Sequence, residues 1–339
     1  MPKPIKHILV IRLSAMGDVA MTVPVLRAFT YQYPNIKITV LTRPFFVPFF
    51  QNIPNLEVYP VDLKKKHKGV LGIFRLSKEL KKLKIDAVAD LHNVLRSKIL
   101  KIFLTGLKTI QIDKGREEKK ALVSGKIFRQ LKTTHQRYAD VFEQLGFNVD
   151  LSNPVFPIKK PLNENVLKIT KHKINKWIGI APFAAHESKM YPIDLMEQVI
   201  EKLSQNNTII LFGGGEHEIK TLNELENKFQ NVINVSGNLT FEEELNLISN
   251  LDVMLSMDSG NAHIAAMFGI KVVTIWGVTH PYAGFAPFHQ PEDYRLLSDR
   301  TKFPLIPTSI YGNKYPENYK EASRSISPEI VVKKIESIL

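Results

Sequence analysis

His7-Ile8-Leu9-Val10-Ile11-Arg12-Leu13 is a short apolar, β-branched run that turns at once into Ser14-Ala15-Met16-Gly17-Asp18, before a helical pattern over 19–33. A strand without polar alternation reads as covered on both faces, as in a parallel sheet flanked by helices. The same alternation continues outward from it. Strands are expected over 36–42, 56–61 and 85–90, with a helix over 73–84. Residues 150–163, with Pro154, Pro157 and Pro161 among polar neighbours, read as a linker, after which the pattern restarts. Strands are then expected over 177–181, 208–212, 232–235, 253–256 and 272–276, and helices over 195–203 and 241–247 among others. Two such βαβ arrays predict an α/β protein of two Rossmann-like domains, 1–155 and 156–326, facing each other across a ligand cleft. Residues 327–339, with Ile330, Val331, Ile335 and Ile338 apolar, read as a closing helix that packs back toward the N-terminal domain.

The composition agrees with two packed cores. The 339 residues are 44% hydrophobic and 23% charged, which excludes disordered and collagen-like chains. No apolar run is long enough to span a bilayer, and Met1-Pro2-Lys3-Pro4 leads straight into the first strand, so a cytoplasmic location is expected. The absence of cysteine removes disulfides, thiol nucleophiles and Cys-ligated metals. The net charge of +13 is concentrated: residues 62–132 hold 20 Lys/Arg against 7 Asp/Glu, and the remainder is neutral. A one-sided basic region suggests a polyanionic partner, either nucleic acid, an anionic membrane surface or a phosphorylated glycolipid. For Lys64, Lys65, Lys66 and Lys68 alone, a solvated loop is the favoured reading. Aromatic residues do not alternate with the basic ones, and no zinc-finger or basic-zipper pattern occurs, so no nucleic-acid partner is expected.

Four segments could carry chemistry. Gly17 and Asp18 lie at a strand's carboxyl end; the glycine admits close backbone approach, and the aspartate reads either as a helix N-cap or as a base. Lys189 follows the strand at 177–181 and precedes Tyr191-Pro192, where it reads as a point charge for a diphosphate or as a solvent-facing loop residue. His186 has no partner at metal-ligand spacing. Gly213-Gly214-Gly215 lacks both the dinucleotide fingerprint and the Walker A lysine, leaving a loop that could admit a ribose or base, with Glu218 accepting hydroxyl hydrogens. Met257-Asp258-Ser259-Gly260-Asn261-Ala262-His263 enters a short helix at Ser259-Gly260, an end suited to an anion. Asp258 reads as a sugar-hydroxyl acceptor or helix cap, and His263 as a phosphate or sugar donor or a buried histidine. With no D-x-D pair, Gly-x-Ser-x-Gly elbow or zinc helix, a metal-free transfer driven by positioning and electrostatics remains.

Ala15-Met16-Gly17-Asp18-Val19, Lys189 before Tyr191-Pro192, and Asp258-Ser259-Gly260 followed by His263 occur in the order seen in bacterial heptosyltransferases of glycosyltransferase family nine, which the chain resembles over nearly its full length. The resemblance extends to Asp90-Leu91-His92-Asn93-Val94-Leu95-Arg96-Ser97 and to His135-Gln136-Arg137-Tyr138 leading to Leu145-Gly146. It implies a GT-B fold, an ADP-heptose donor on the C-terminal domain, a lipid A/Kdo inner-core acceptor on the basic N-terminal domain, and inversion at the anomeric carbon. Asp18 would be the base, while Lys189 and the Ser259-Gly260 helix end would stabilise the departing diphosphate. Glu218 would hold the ribose, Leu239 would lie near the adenine, and Asp258 with His263 would orient sugar and phosphates. Ser188 and Gly214 complete the donor set; Ser14, Met16, Gly17, His92, Asn93 and Arg96 form the acceptor set. No cofactor or metal is implied, and a monomer at the cytoplasmic face of the inner membrane is expected. This chain has Ala184-Ala185 where the family often has Ser or Thr, so Ser188 or backbone would supply phosphate contacts. It also has Tyr191 for Trp, Ser259 for Thr and His92-Asn93 for Gln-Gly. The alternatives are a GT-B enzyme with another nucleotide sugar, either a UDP-sugar transferase or an epimerase, and a non-catalytic nucleotide-sugar or glycolipid binder.

Overall fold

Five parallel strands form the first sheet of the computed structural model, which describes residues 4–339. The chain runs β1 (His7–Ile11), α1 (Met16–Ala20), α2 (Thr22–Gln32), β2 (Lys37–Thr42), β3 (Leu56–Pro60), α3 (Gly69–Lys81), β4 (Ala87–Asp90), α4 (Leu95–Phe103), β5 (Lys108–Gln111), α5 (Arg116–Val123) and α6 (Thr134–Leu145). The sheet order is β3-β2-β1-β4-β5, with Ile8 opposite Ile38 on one side and Ala87 on the other. All five residues of β1 are buried, as a central strand covered on both faces requires. Leu9, Ile11, Leu41 and Val88 pack against Ile73, Leu76 and Leu80 of α3 and Leu100 of α4.

Two differences from the expected elements have local causes. The helix expected over 19–33 is broken at Met21 into α1 and α2, and Pro24 falls in the first turn of α2, where its missing N–H leaves no bond unmade. Strand β5, Lys-Thr-Ile-Gln, is a partly exposed edge strand and so lacks the apolar run that marks its neighbours.

The second array runs α7 (Glu164–Thr170), β6 (Trp177–Ala181), α8 (Ile193–Leu203), β7 (Thr208–Leu211), α9 (Glu216–Lys228), β8 (Val232–Asn234), α10 (Phe241–Ser249), β9 (Val253–Met257), α11 (Gly260–Met267), β10 (Lys271–Trp276), β11 (Arg295–Leu297) and α12 (Pro328–Glu336). Its strands are also parallel, in the order β11-β10-β9-β6-β7-β8, which is the six-strand doubly wound order. Its core joins Ile178, Leu211, Leu255 and Ile275 of the sheet to Met196, Val199 and Leu203 of α8 and Leu222 and Leu225 of α9.

The chain divides into a first unit, reaching Lys114 and including Thr134–Phe156, and a second unit of Gly115–Thr133 and Pro157–Leu339. This differs from a continuous N-terminal domain over 1–155. Residues 115–133 join the second unit because Leu122 and Leu131 pack with Ala283, Tyr282 and Phe285, and the Leu131 N–H donates to the Tyr282 carbonyl at 2.9 Å. The Lys119 ammonium lies 4.1 Å from the centre of the Phe285 ring. Helix α12 also packs within the second unit. Its Val331, Val332 and Ile335 belong to the second unit's core beside α8, and Lys202 pairs with Glu329 at 2.9 Å.

Candidate active site

In a doubly wound sheet the crevice that takes ligands opens where the strand order reverses, outside the carboxyl ends of the two strands flanking that point. In the first unit these strands are β1 and β4; in the second they are β6 and β9. The residues singled out in the sequence lie largely on the loops leaving these four strands.

At the exit of β1, the Arg12 guanidinium is buried and forks: Nη1 donates to the Leu91 carbonyl at 2.7 Å, and Nη2 pairs with Asp18 Oδ2 at 2.6 Å. Asp18 Oδ2 also accepts the Ala15 N–H at 3.3 Å, and the Tyr138 hydroxyl donates to the Asp18 carbonyl at 3.3 Å. Asp18 is therefore the third residue of α1, with Ala15 at the cap, rather than the N-cap itself. Its carboxylate is one-third exposed at 32%. At the exit of β4, Asp90 Oδ1 accepts the N–H groups of His92 and Asn93 at 3.0 and 2.8 Å, and Lys101 pairs with its other oxygen at 2.7 Å. That turn aims the His92 ring toward the β1 loop, with Nε2 3.5 Å from Ser14 Oγ, and leaves Nδ1 buried with no hydrogen-bond partner. Met16 and Gly17 are half-buried in α1, and Arg96 is exposed in the first turn of α4.

In the second unit, Lys189 Nζ pairs with Asp258 Oδ2 at 2.8 Å, and the two side chains are only 13% and 9% exposed. Thr279 Oγ1 donates to the same Asp258 oxygen at 2.9 Å. Ser188 is fully buried and its hydroxyl donates to the Gly312 carbonyl at 2.5 Å. The Ser188 proton is thus committed inside the protein, and of the two phosphate donors expected, Ser188 or backbone, the backbone is the one this bond leaves untouched. Gly312 has φ +80°, and a Cβ there would stand 2.6 Å from Lys189 Cγ, so a glycine is needed for this loop to cover the lysine stem. A Cβ on Gly277 would meet the Ser188 carbonyl at 2.2 Å, so the turn after β10 is held as closely against the lysine loop. That loop also lines an open cavity of about 280 Å³ walled by Pro182, Phe183, Glu187, Tyr191, Lys320 and Glu321, in which Glu187 and Lys320 pair at 2.8 Å.

Ser259 caps α11 and shares a hydrogen bond with Ser256 at 3.0 Å; Gly260 opens the helix and His263 is buried one turn in. Glu218 Oε2 accepts the Gly214 N–H at 2.7 Å, closing the glycine loop at the start of α9. Leu239 is half-buried, directly before the Thr240 cap of α10. Among the described residues, no group of three or more His, Asp or Glu side chains is arranged to hold a metal ion.

Burial holds His92 down to about 4, assisted by the charges of Arg12 and Lys114, and holds His280 down to about 4 with Arg300 and Arg295 assisting. Both rings are therefore neutral in the folded protein near pH 7. Because the unfolded chain takes up more protons between about pH 6.5 and 4, this stabilisation is complete above 6.5 and is lost as pH falls through that window. A single such histidine costs about 2 kcal/mol at pH 5 relative to neutral pH. The urea midpoint of His92→Gln should accordingly fall less between pH 7.5 and 5 than that of the unsubstituted protein. Equal pH slopes would sink this account.

The family model of glycosyltransferase family 9 (heptosyltransferase) matches residues 73–297, two-thirds of the chain and the stretch that contains the β4 exit and, in the second unit, Lys189, Glu218, Asp258, His263 and Thr279. The chain belongs to glycosyltransferase family 9. Relatives of this family-9 glycosyltransferase include the lipopolysaccharide core heptosyltransferase OpsX of Haemophilus influenzae, 25% identical over 290 residues, or 81% of this chain and 80% of the relative. Lipooligosaccharide heptosyltransferase 2 of Campylobacter jejuni is 24% identical over 330 residues, 95% and 96% of the two chains. Among solved structures, a family 9 glycosyl transferase from Veillonella parvula aligns with a TM-score of 0.78 at 20% identity, covering 100% of this chain and 98% of that one. The E. coli ADP-heptose LPS heptosyltransferase II aligns with a TM-score of 0.69 at 18% identity, covering 98% of each. The two sheets are thus those of a GT-B glycosyltransferase.

Three partners in this glycosyltransferase's site escape a reading of its sequence. Arg12 carries a signal, since a lone cation between apolar residues at the end of a buried strand must find a countercharge. Thr279 and Gly312 carry none, because they lie 21 and 54 residues beyond Asp258 and reach the site only through the fold.

Proposed function

We propose that this glycosyltransferase moves a heptose from ADP-heptose to an inner-core lipopolysaccharide acceptor, with inversion and without a metal. What carries the reading is one observation: in a family-9 chain, each sheet sets an acid–base ion pair, Arg12–Asp18 or Lys189–Asp258, at the loop where ligands approach a doubly wound sheet. The acceptor hydroxyl oxygen forms the new bond to the anomeric carbon as the bond from that carbon to the diphosphate oxygen breaks. Asp18 takes the hydroxyl proton, held in place by Arg12 and the Ala15 N–H. Lys189 and the free N–H groups at Ser259-Gly260 receive the charge that develops on the departing ADP.

Lys189 is neutralised by Asp258, so donor binding shares or exchanges that partner. With Oδ2 of Asp258 held by Lys189 and Thr279, its other oxygen is the one left for a sugar hydroxyl. Glu218 likewise keeps one oxygen for a ribose, beside a glycine loop and Leu239 that can accept an apolar base face. The acceptor set in this reading is Ser14, Met16, Gly17, His92, Asn93 and Arg96, and the partnerless Nδ1 of His92 is a polar atom that a substrate could satisfy. The relatives named for lipopolysaccharide and lipooligosaccharide substrates support a lipid-borne acceptor; the reading has a monomer reach it at the cytoplasmic face of the inner membrane.

Calorimetric titration with ADP, UDP, GDP and CMP, each with and without EDTA, tests the donor. Selective ADP binding that EDTA does not alter is the expected result. A preference for UDP would replace the donor and retain the fold, and nucleotide binding without transfer to a matched acceptor would leave a binding protein.

A further inference from the structure

Helix α3 buries Gly72, Ile73, Leu76, Ser77 and Leu80, yet the opposite face is apolar where the helix begins. Val70, Leu71 and Phe74 are 56%, 83% and 42% exposed. Their spacing places Phe74 one turn from both of the others, so the three form one patch. Phe74 meets Phe103 of α4 edge-on with ring centres 5.2 Å apart, which extends the apolar surface onto α4.

Cations border this patch. Lys64, Lys65 and Lys68 precede it and Arg75, Lys78, Lys81 and Lys82 follow it, all exposed. Residues 62–82 contain only two carboxylates, and both are occupied. Asp62 accepts the N–H groups of Lys64 and Lys65 at 3.0 and 2.9 Å, while Glu79 pairs with Lys66 at 2.8 Å. Lys78 lies over the Phe74 ring at 4.6 Å, which keeps its charge at the edge of the apolar surface.

Exposed apolar area of this kind marks a contact surface. A polyanion in water would use the cations and leave Leu71 and Phe74 wet. A phospholipid surface uses both, with apolar side chains entering the acyl boundary and ammonium groups staying among the phosphates. We propose that the α3 face docks this glycosyltransferase on an anionic phospholipid bilayer, with Leu71 and Phe74 in the interface and Lys64, Lys65 and Lys68 on the headgroups. Among the described residues no helix is long and apolar enough to cross a membrane, so this is attachment from one side. The proposal rests on the functional reading above, since a lipid-borne acceptor is what such docking would reach.

Flotation of the full chain with phosphatidylcholine vesicles, with and without phosphatidylglycerol, tests it. The protein should float with the phosphatidylglycerol vesicles and not with phosphatidylcholine alone. Lys64→Gln/Lys65→Gln/Lys68→Gln should weaken binding on the order of a hundredfold, and Leu71→Gln/Phe74→Gln at least about tenfold. ADP affinity should be unchanged in both variants, which shows that they are folded. Failure of the unsubstituted protein to float, or undiminished flotation of both variants, would overturn the proposal. So would equal affinity for a single-stranded polynucleotide that Leu71→Gln/Phe74→Gln does not alter, which would reassign the face to nucleic acid. Flotation that responds to both variants in a protein that does not bind ADP would uphold the docking face while the donor reading fails.

Discussion

Asp18→Asn should lower the rate of sugar transfer by roughly 10²- to 10⁴-fold, the usual contribution of a positioned general base. Asparagine keeps the shape of the side chain and can still accept the Ala15 N–H, but it cannot take a proton from an attacking hydroxyl. It also removes the countercharge of Arg12, which is only 5% exposed and keeps its bond to the Leu91 carbonyl and its place over the Tyr138 ring at 5.8 Å. Leaving that guanidinium half-paired should cost about 1–3 kcal/mol of stability. Single-turnover transfer, a urea midpoint and an ADP titration on the same preparation separate the two effects. The expected pattern is a collapsed rate, a modestly lower midpoint and unchanged ADP affinity. A retained rate would move the base elsewhere, and lost ADP binding in a folded protein would place Asp18 on the donor side.

The other large effect is expected at Lys189. Lys189→Met removes the cation proposed to receive the diphosphate and should weaken ADP binding roughly ten- to a hundredfold, the range for a charge-assisted hydrogen bond. The same change leaves the Asp258 carboxylate buried with Thr279 as its remaining side-chain partner. Breaking one half of a buried pair in this way costs about 3–5 kcal/mol. Lys189→Met/Asp258→Asn should recover much of that stability, since neither group is then a lone charge, without recovering ADP affinity. Unchanged ADP affinity in Lys189→Met would exclude the diphosphate role. A double variant no more stable than the single one would contradict the ion-pair account.

Much of the architecture is legible in residue order because buried parallel strands cannot alternate polar and apolar positions. His7–Ile11 and Trp177–Ala181 are continuous apolar runs, and each is fully buried at the centre of its sheet. The edge strands β5 and β11 escape the same reading, since a strand with one neighbour keeps polar residues such as Lys108, Gln111 and Arg295. The assignment of residues 115–133 to the second unit escapes it too. Leu122 and Leu131 announce that they will be buried, but not that Ala283 and Tyr282 will bury them. The same holds for α12, whose apolar stripe is evident and whose partner, α8, lies more than a hundred residues earlier.

In the site, Asp18, Lys189 and Asp258 are legible as candidates because each lies in the segment after a strand that the pattern identifies, while position left a bland reading open for each and only the family resemblance implied their roles. Local sequence therefore determined the two parallel arrays, the carboxyl-end loops and the charged residues placed on them, all of which follow from burial periodicity and chain direction. Only the tertiary structure decided which charges neutralise one another. Arg12 takes Asp18 six residues on, whereas Lys189, after β6, takes Asp258 from the end of the neighbouring strand β9, 69 residues on, with Thr279 and Gly312 closing around the pair. The physical reason is that a charge removed from water must be paired wherever the fold brings an opposite charge within a few ångströms, and that distance is set by strand order rather than by separation along the chain.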